Sequence, residues 1–359
     1  MQTMYATPTN LFFAPGGKPI ARYDKPRYPI FEKLNKLMRS FHWEPEVIPM
    51  SGERRSFNSM TDADQFVFTS GLQRAIMLDT KQGEEPSRVF GTVCTDPSLS
   101  NCITTWQQFE TIHSESYTHI LRAIYPDPSA VVEQIPTIKA ITECAAAISD
   151  AYDRMVAHPS KENLYLALCE ANALEALRFF NFFATLFNFK KRLMVPGSGD
   201  IGKLIARDEN IHLSLVMHII KALPKDDPEF VEIIGDNRER ALQIYRTAAE
   251  QEKAWAQYLF SHGPIMGLNE GILCEHIEYR EIKATNGMGL TSKKLPLLNI
   301  SYMREYVDDS DKIQAAPQED GALEYLSSSS LHNDMENFVP KFGTAKLDLK
   351  ALLGVGVAA

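Results

Sequence analysis

Residues 101–125 read NCITTWQQFETIHSESYTHILRAIY. At spacings of three and four, Ile103, Trp106, Glu110, His113, Tyr117, Ile120 and Ile124 fall on one stripe of a helix. The ends of the stripe are apolar, as a core-facing seam requires, yet its middle holds a carboxylate, an imidazole and a phenol. Glu110 and His113 stand at i and i+3, one above the other. Tyr117 follows His113 by four and lies about 10 Å along the axis from Glu110, at roughly 1.5 Å per residue. Pro126 ends the pattern.

A second helix, 199–222, repeats the arrangement, with a seam of Ile205, Glu209, His212, Val216 and Ile219. Two further segments each place a lone carboxylate on a seam. Asp79 continues Phe68, Leu72, Ala75 and Ile76. Glu175 lies between Leu168 and Ala171 on one side and the run Phe179, Phe182, Phe183 on the other. Asp79 and Glu110 are 31 residues apart and Glu175 and Glu209 are 34 apart, so each pair fits a helix, a short loop and an antiparallel helix. The interval from His113 to Glu175 leaves room for a long crossover.

Four ionised, unpaired carboxylates in a core would cost on the order of tens of kcal/mol each. Protonation relieves that cost, and so does metal. Two divalent cations carry +4 against −4, and two histidines give each cation a nitrogen ligand. Lone carboxylates from two helices with Glu-x-x-His from two others make the di-iron or di-manganese arrangement of ferritin-like bundles. The competing reading is a set of core polar groups that satisfy one another. Glu115 and His119 form another i, i+4 pair, but off the seam, and read as a solvated pair. The sequence therefore predicts an all-α, ferritin-like helical bundle with a dinuclear metal-carboxylate centre.

Around this core the chain divides into three. Residues 1–30 carry seven prolines and glycines between Pro8 and Pro29 and read as an extended arm. Residues 31–306 are mostly helical, with helices expected over 61–80 (opened by a Thr61-x-x-Asp64 capping box), 101–125, 138–157, 161–191, 199–222 and 229–260. Short extended pieces are expected near Ser292–Leu298. Residues 307–359 are rich in acidic and serine residues and read as a flexible tail.

Composition narrows the function. The 359 residues are 44% hydrophobic and 23% charged, with a formal charge of −9 that disfavours a nucleic-acid partner. Cys94, Cys102, Cys144, Cys169 and Cys274 are odd in number and scattered, which suits a reducing cytoplasm. No secretory signal is visible, and the most apolar stretch, Leu177–Phe189, is too short to span a membrane. No Gly-rich phosphate loop is present.

The stretch Trp106-x-x-x-Glu110-Thr111-Ile112-His113-Ser114-x-Ser116-Tyr117-Thr118-His119-Ile120 closely resembles the small, radical-generating (beta) subunit of class I ribonucleotide reductase. So do Leu78-Asp79, Asn172-Ala173-Leu174-Glu175-Ala176-x-Arg178-Phe179 and Leu204-Ile205-Ala206-Arg207-Asp208-Glu209-x-x-His212-Leu213. Ala21-Arg22-Tyr23-Asp24, Gln251-Glu252-Lys253-x-Trp255 and Ala316-Pro317-Gln318-Glu319 extend the likeness from about Ile20 to Phe338. It is greatest to the class Ia type of bacteria and their viruses.

That resemblance implies six metal ligands, Asp79, Glu110, His113, Glu175, Glu209 and His212, the set the seams select. It implies two iron ions, although the hard oxygen and nitrogen donors also accept manganese. Tyr117 would be the residue oxidised to a stable radical, in a pocket that includes Phe179, Phe183 and Ile205. Trp43 and Asp208 would form an electron and proton path through His113, and Tyr325 would relay the radical to the catalytic alpha subunit. Asn333–Phe338, with Glu336, Asn337 and Phe338 at its end, would dock that subunit, and the beta subunit would be a homodimer. The family usually ends near Phe338, whereas this chain continues to Ala359. The alternative is a di-metal oxidase or oxygenase with its own substrate, or a storage bundle. The seam tyrosine and the Tyr325 tail argue against both.

Overall fold

A computed structural model describes residues 10–15 and 19–304. The chain divides at Ser301 into two units, and the helical architecture is that of the first. Its helices are α1 (Pro29–Ser40), α2 (Glu53–Asn58), α3 (Asp62–Gln82), α4 (Pro97–Ile124), α5 (Ser129–Val132), α6 (Lys139–Ala157), α7 (Lys161–Ala173), α8 (Phe179–Lys191), α9 (Pro196–Asp226), α10 (Glu229–Asp236), α11 (Arg238–Leu259) and α12 (Glu270–Gly287). No strand occurs among the described residues, and the fold is the helical bundle predicted. Residues 292–298 form no ladder, so the short extended pieces expected there are absent as strands.

Four helical lengths surround the centre. α3 packs on α4 and α8, while α9 packs on α4, α7 and α8, which closes the ring. A Cβ on Gly202 would collide with the Leu186 side chain, so glycine lets α8 and α9 approach closely. α6 covers the α3 and α7 side, and α1 lies across α4 and α9.

Several helix ends follow local signals. Thr61 caps α3, its hydroxyl accepting from the Asp64 amide at 3.2 Å and donating to the Asp64 carboxylate at 2.9 Å. α4 begins earlier than expected because Asp96 accepts from the Leu99 amide at 2.9 Å and Pro97 takes the first helical position. It stops at Ile124, before Pro126, as predicted. The expected helix 229–260 breaks at Asn237, whose side-chain amide and backbone N–H both donate to the Ile233 carbonyl, at 3.0 and 3.1 Å. The expected helix 161–191 is interrupted by a π-helical turn, Leu174–Arg178, and a second π-helical turn spans Pro86–Gly91.

α9 runs longer than its 199–222 core and starts on a buried carboxylate. Glu53 of α2 accepts from the Gly197 amide at 2.9 Å, the Ser198 amide at 3.1 Å and the Ser198 hydroxyl at 2.5 Å. This anion satisfies otherwise orphaned N–H groups at the positive end of the helix. Among the described residues, no helix is long and apolar enough to cross a membrane.

Candidate metal centre

Every member of the two seams is buried, from Ile103 to Ile124 on α4 and from Ile205 to Ile219 on α9. Glu115 is exposed, as its place off the seam predicts, whereas His119 is half-buried with its Nε2 shielded from solvent. Asp79 arrives from α3 and Glu175 from the π-helical turn before α8. With Glu110, His113, Glu209 and His212 they have no exposed surface at all.

The six side chains form two overlapping sets. Asp79, Glu110, His113 and Glu209 make one, and Glu110, Glu175, Glu209 and His212 make the other, each with its ligand atoms within 4.8 Å of one another. Glu110 and Glu209 belong to both and divide their oxygens between them. His113 Nδ1 lies 3.4 Å from Glu110 Oε2 and 3.0 Å from Glu209 Oε1. His212 Nδ1 lies 3.0 Å from Glu110 Oε1 and 3.1 Å from Glu209 Oε2. Two bridging carboxylates with one imidazole on each side suit a pair of cations.

The hydrogen bonding agrees with that fit. Both oxygens of Asp79, together with Glu110 Oε2, His113 Nδ1, Glu175 Oε2 and Glu209 Oε1, are buried without a hydrogen-bond partner. Leaving so many such groups unsatisfied would be costly unless they share another partner. His212 Nε2 is likewise buried without a partner, Glu209 Oε2 pairs with His212 Nδ1 at 3.1 Å, and three further atoms are held from outside. Trp106 Nε1 donates to Glu110 Oε1 at 2.6 Å, Gln82 Nε2 donates to Glu175 Oε1 at 3.0 Å, and His113 Nε2 lies 3.3 Å from Asp208 Oδ2.

Metal-free, the cluster balances its charge with protons. Burial pushes the Asp79 and Glu175 carboxyls well above the ordinary range, and neighbouring glutamates add to the effect. Burial also opposes charge on both imidazoles, but the facing carboxylates outweigh it. His113 is raised well above its ordinary value, chiefly by Glu209, and His212 is raised to about 9 by Glu110 and Glu209. Glu209 stays low because Glu175 and the imidazoles outweigh its own burial. Protons thus sit where cations would.

A model of the family described as ribonucleotide reductase, small chain, matches residues 21–293. The chain belongs to that family. It is 36% identical over 360 residues to ribonucleoside-diphosphate reductase 1 subunit beta of Escherichia coli O157:H7, covering 90% of this chain and 94% of that protein. The subunit beta of Enterobacteria phage T4 is 34% identical, with 92% and 94% covered. Among solved structures, the ribonucleotide reductase R2 subunit of Clostridium botulinum superposes with a TM-score of 0.77 at 21% identity, over 83% of this chain and 93% of that one. Streptococcus sanguinis dimanganese(II)-NrdF gives 0.64 at 16% identity, over 82% and 96%. The small chain of this class I reductase, expected from sequence, serves ribonucleoside-diphosphate reduction together with a large subunit.

Of the other predicted positions, Tyr117, Trp43 and Asp208 adjoin the ligands. Tyr117 is buried, its hydroxyl has no hydrogen-bond partner, and burial followed by the Asp79 charge raises the phenol well above its ordinary value. The ring that meets it edge-on is Phe182, with centroids 5.8 Å apart, and Phe183 packs next to Phe182 at 5.7 Å. Phe179 and Ile205 are buried on α8 and α9. Trp43 is buried beyond α1, and its Nε1 donates to Asp208 Oδ2 at 2.8 Å. Tyr325, Glu336, Asn337 and Phe338 lie outside the described residues.

Sequence reasoning missed the supports. Trp106 reads as an apolar seam residue, although it stands one turn before Glu110 with an N–H to give. Gln82, three residues after Asp79, carried a signal as a polar residue extending that seam. Arg207 adjoins Asp208 and donates from Nε to its Oδ1 at 3.2 Å, and nothing in the pattern singled it out. Tyr152 gave no signal.

Proposed function

We propose that this chain generates and stores a radical on Tyr117 and lends it to the large subunit, which reduces ribonucleotides to 2′-deoxyribonucleotides. The observation that carries the reading is a fully buried phenol beside Asp79 and one turn beyond His113. Asp79, Glu110, His113, Glu175, Glu209 and His212 hold two iron ions in this reading, though the same donors suit manganese. Iron so held supplies one-electron oxidising power by reaction with oxygen.

The chain's own residues do the rest. Asp79 is the group beside Tyr117 that can take the phenol proton when the electron leaves. Phe182 and the surrounding apolar side chains keep water and reductants from the ring. For export, Asp208 Oδ2 joins Trp43 to His113, whose rings lie 6.4 Å apart. Tyr325 continues the route, and Asn333–Phe338 dock the large subunit. The small chain works as a cytoplasmic homodimer.

The test is electron paramagnetic resonance after ferrous iron and oxygen are added to metal-free protein. A tyrosyl signal that disappears in Tyr117→Phe is the expected result. Metal uptake by the wild-type chain with no such signal would favour an oxidase acting on its own substrate.

A further inference from the structure

Glu175 differs from other candidate ligands in two respects. Unlike the bridging pair Glu110 and Glu209 it belongs to one set, the one containing His212, and unlike all five it stands on an irregular backbone. The π-helical turn Leu174–Arg178 widens the ladder, and Arg280 Nε donates to the Ala176 carbonyl there at 2.8 Å. A side chain on such a turn is not aimed by ordinary helix geometry. Its direction comes from what holds it.

A buried two-step hydrogen-bond chain does so. Gln82 Nε2 donates to Glu175 Oε1 at 3.0 Å, and the Tyr152 hydroxyl donates to Gln82 Oε1 at 2.9 Å. Gln82 and Tyr152 have no exposed surface. Tyr152 belongs to α6, which carries no ligand. By giving its proton to the oxygen end of the amide, Tyr152 turns the N–H₂ end toward Glu175. The amide then occupies Oε1 and leaves Oε2 without a partner, facing the set. The phenol is itself fixed. Its ring meets Phe90 of the other π-helical turn edge-on at 6.1 Å, and Phe90 stacks on Trp106 at 5.9 Å.

We propose that Tyr152 and Gln82 act as positioning residues that aim Glu175 and set the affinity of only one of the two metal positions, the one held by Glu175 and His212. The inference rests on the dinuclear reading. Asp79 and His113, which belong to the other set alone, make no hydrogen bond to Gln82 or Tyr152, so the direct effect falls on the position held by Glu175 and His212. Outer hydrogen bonds to ligands commonly contribute 10–100-fold to metal affinity, which sets the size of the effect.

The experiment is an anaerobic Mn(II) titration of the full chain, with free Mn(II) counted by electron paramagnetic resonance. Wild type is compared with Tyr152→Phe, which removes one hydroxyl and keeps the ring, and with Gln82→Met, which keeps the volume. The expected result is two Mn(II) per wild-type chain. In both variants one constant is weakened on the order of 10–100-fold and the other stays within about twofold. Two unchanged constants in either variant would overturn the proposal, as would equal weakening of both positions, which marks a general packing effect. A wild-type chain that takes up no Mn(II) would remove the dinuclear reading itself.

Discussion

Trp43 donates its indole N–H to Oδ2 of Asp208 at 2.8 Å across 165 residues of sequence. The same oxygen lies 3.3 Å from His113 Nε2. One carboxylate oxygen therefore connects a tryptophan outside the bundle to an imidazole of the candidate centre. Its other oxygen is fixed by Arg207, whose guanidinium also lies over the Phe41 ring at 4.2 Å.

Asp208→Asn keeps the shape but leaves only one side-chain oxygen to serve partners on both sides. With metal saturating, the Tyr117 signal should form in near-normal yield, while turnover with the large subunit falls on the order of 10–100-fold. Parallel radical quantitation and nucleotide reduction assays separate the two. Unchanged turnover would take Asp208 off the route.

The α9 N-terminus offers a stability test remote from the centre. Glu53→Ala leaves the Gly197 and Ser198 amides buried without their acceptor. It should cost about 2–4 kcal/mol in denaturant unfolding. Glu53→Gln retains one acceptor and should cost less. A change below about 0.5 kcal/mol in the alanine variant would show that this carboxylate does not anchor the helix.

Metal uptake should release protons. Asp79, Glu175, His113 and His212 all hold protons more tightly than usual in the metal-free chain, and each must give its proton up to bind a cation. Affinity for Mn(II) should therefore strengthen as pH rises toward about 9, where His212 titrates. Calorimetry in buffers of different ionisation enthalpy measures the number released, and a value of zero would contradict proton-for-metal exchange.

Truncation before Asn333 should leave the Tyr117 signal intact and weaken association with the large subunit. Surface plasmon resonance with the large subunit immobilised measures the loss. Equal binding by truncated and full chains would place docking elsewhere.

The bundle and the centre were largely legible because helical spacing is a one-dimensional record of one face. Glu-x-x-His on an otherwise apolar stripe has few physical explanations, and it occurs twice. The supports were not legible, because they depend on which helices meet. Glu53 reads as an ordinary polar residue until α9 ends on it, and Tyr152 reads as core until Gln82 faces it. The π-helical turn was silent because residues 164–189 are buried all round, so no change of periodicity marks the extra residue. That extra residue rotates the helix beyond it, which hid in sequence the edge-on contact between Phe182 and Tyr117. The break at Asn237, where side chain and backbone both donate to the Ile233 carbonyl, leaves no mark in the apolar periodicity.

Anomalous diffraction from crystals of the full chain soaked in Mn(II) tests the dinuclear centre most directly. Two anomalous peaks per chain are expected, one among Asp79, Glu110, His113 and Glu209 and one among Glu110, Glu175, Glu209 and His212. A single peak, or none within these two sets at saturating Mn(II), would contradict it.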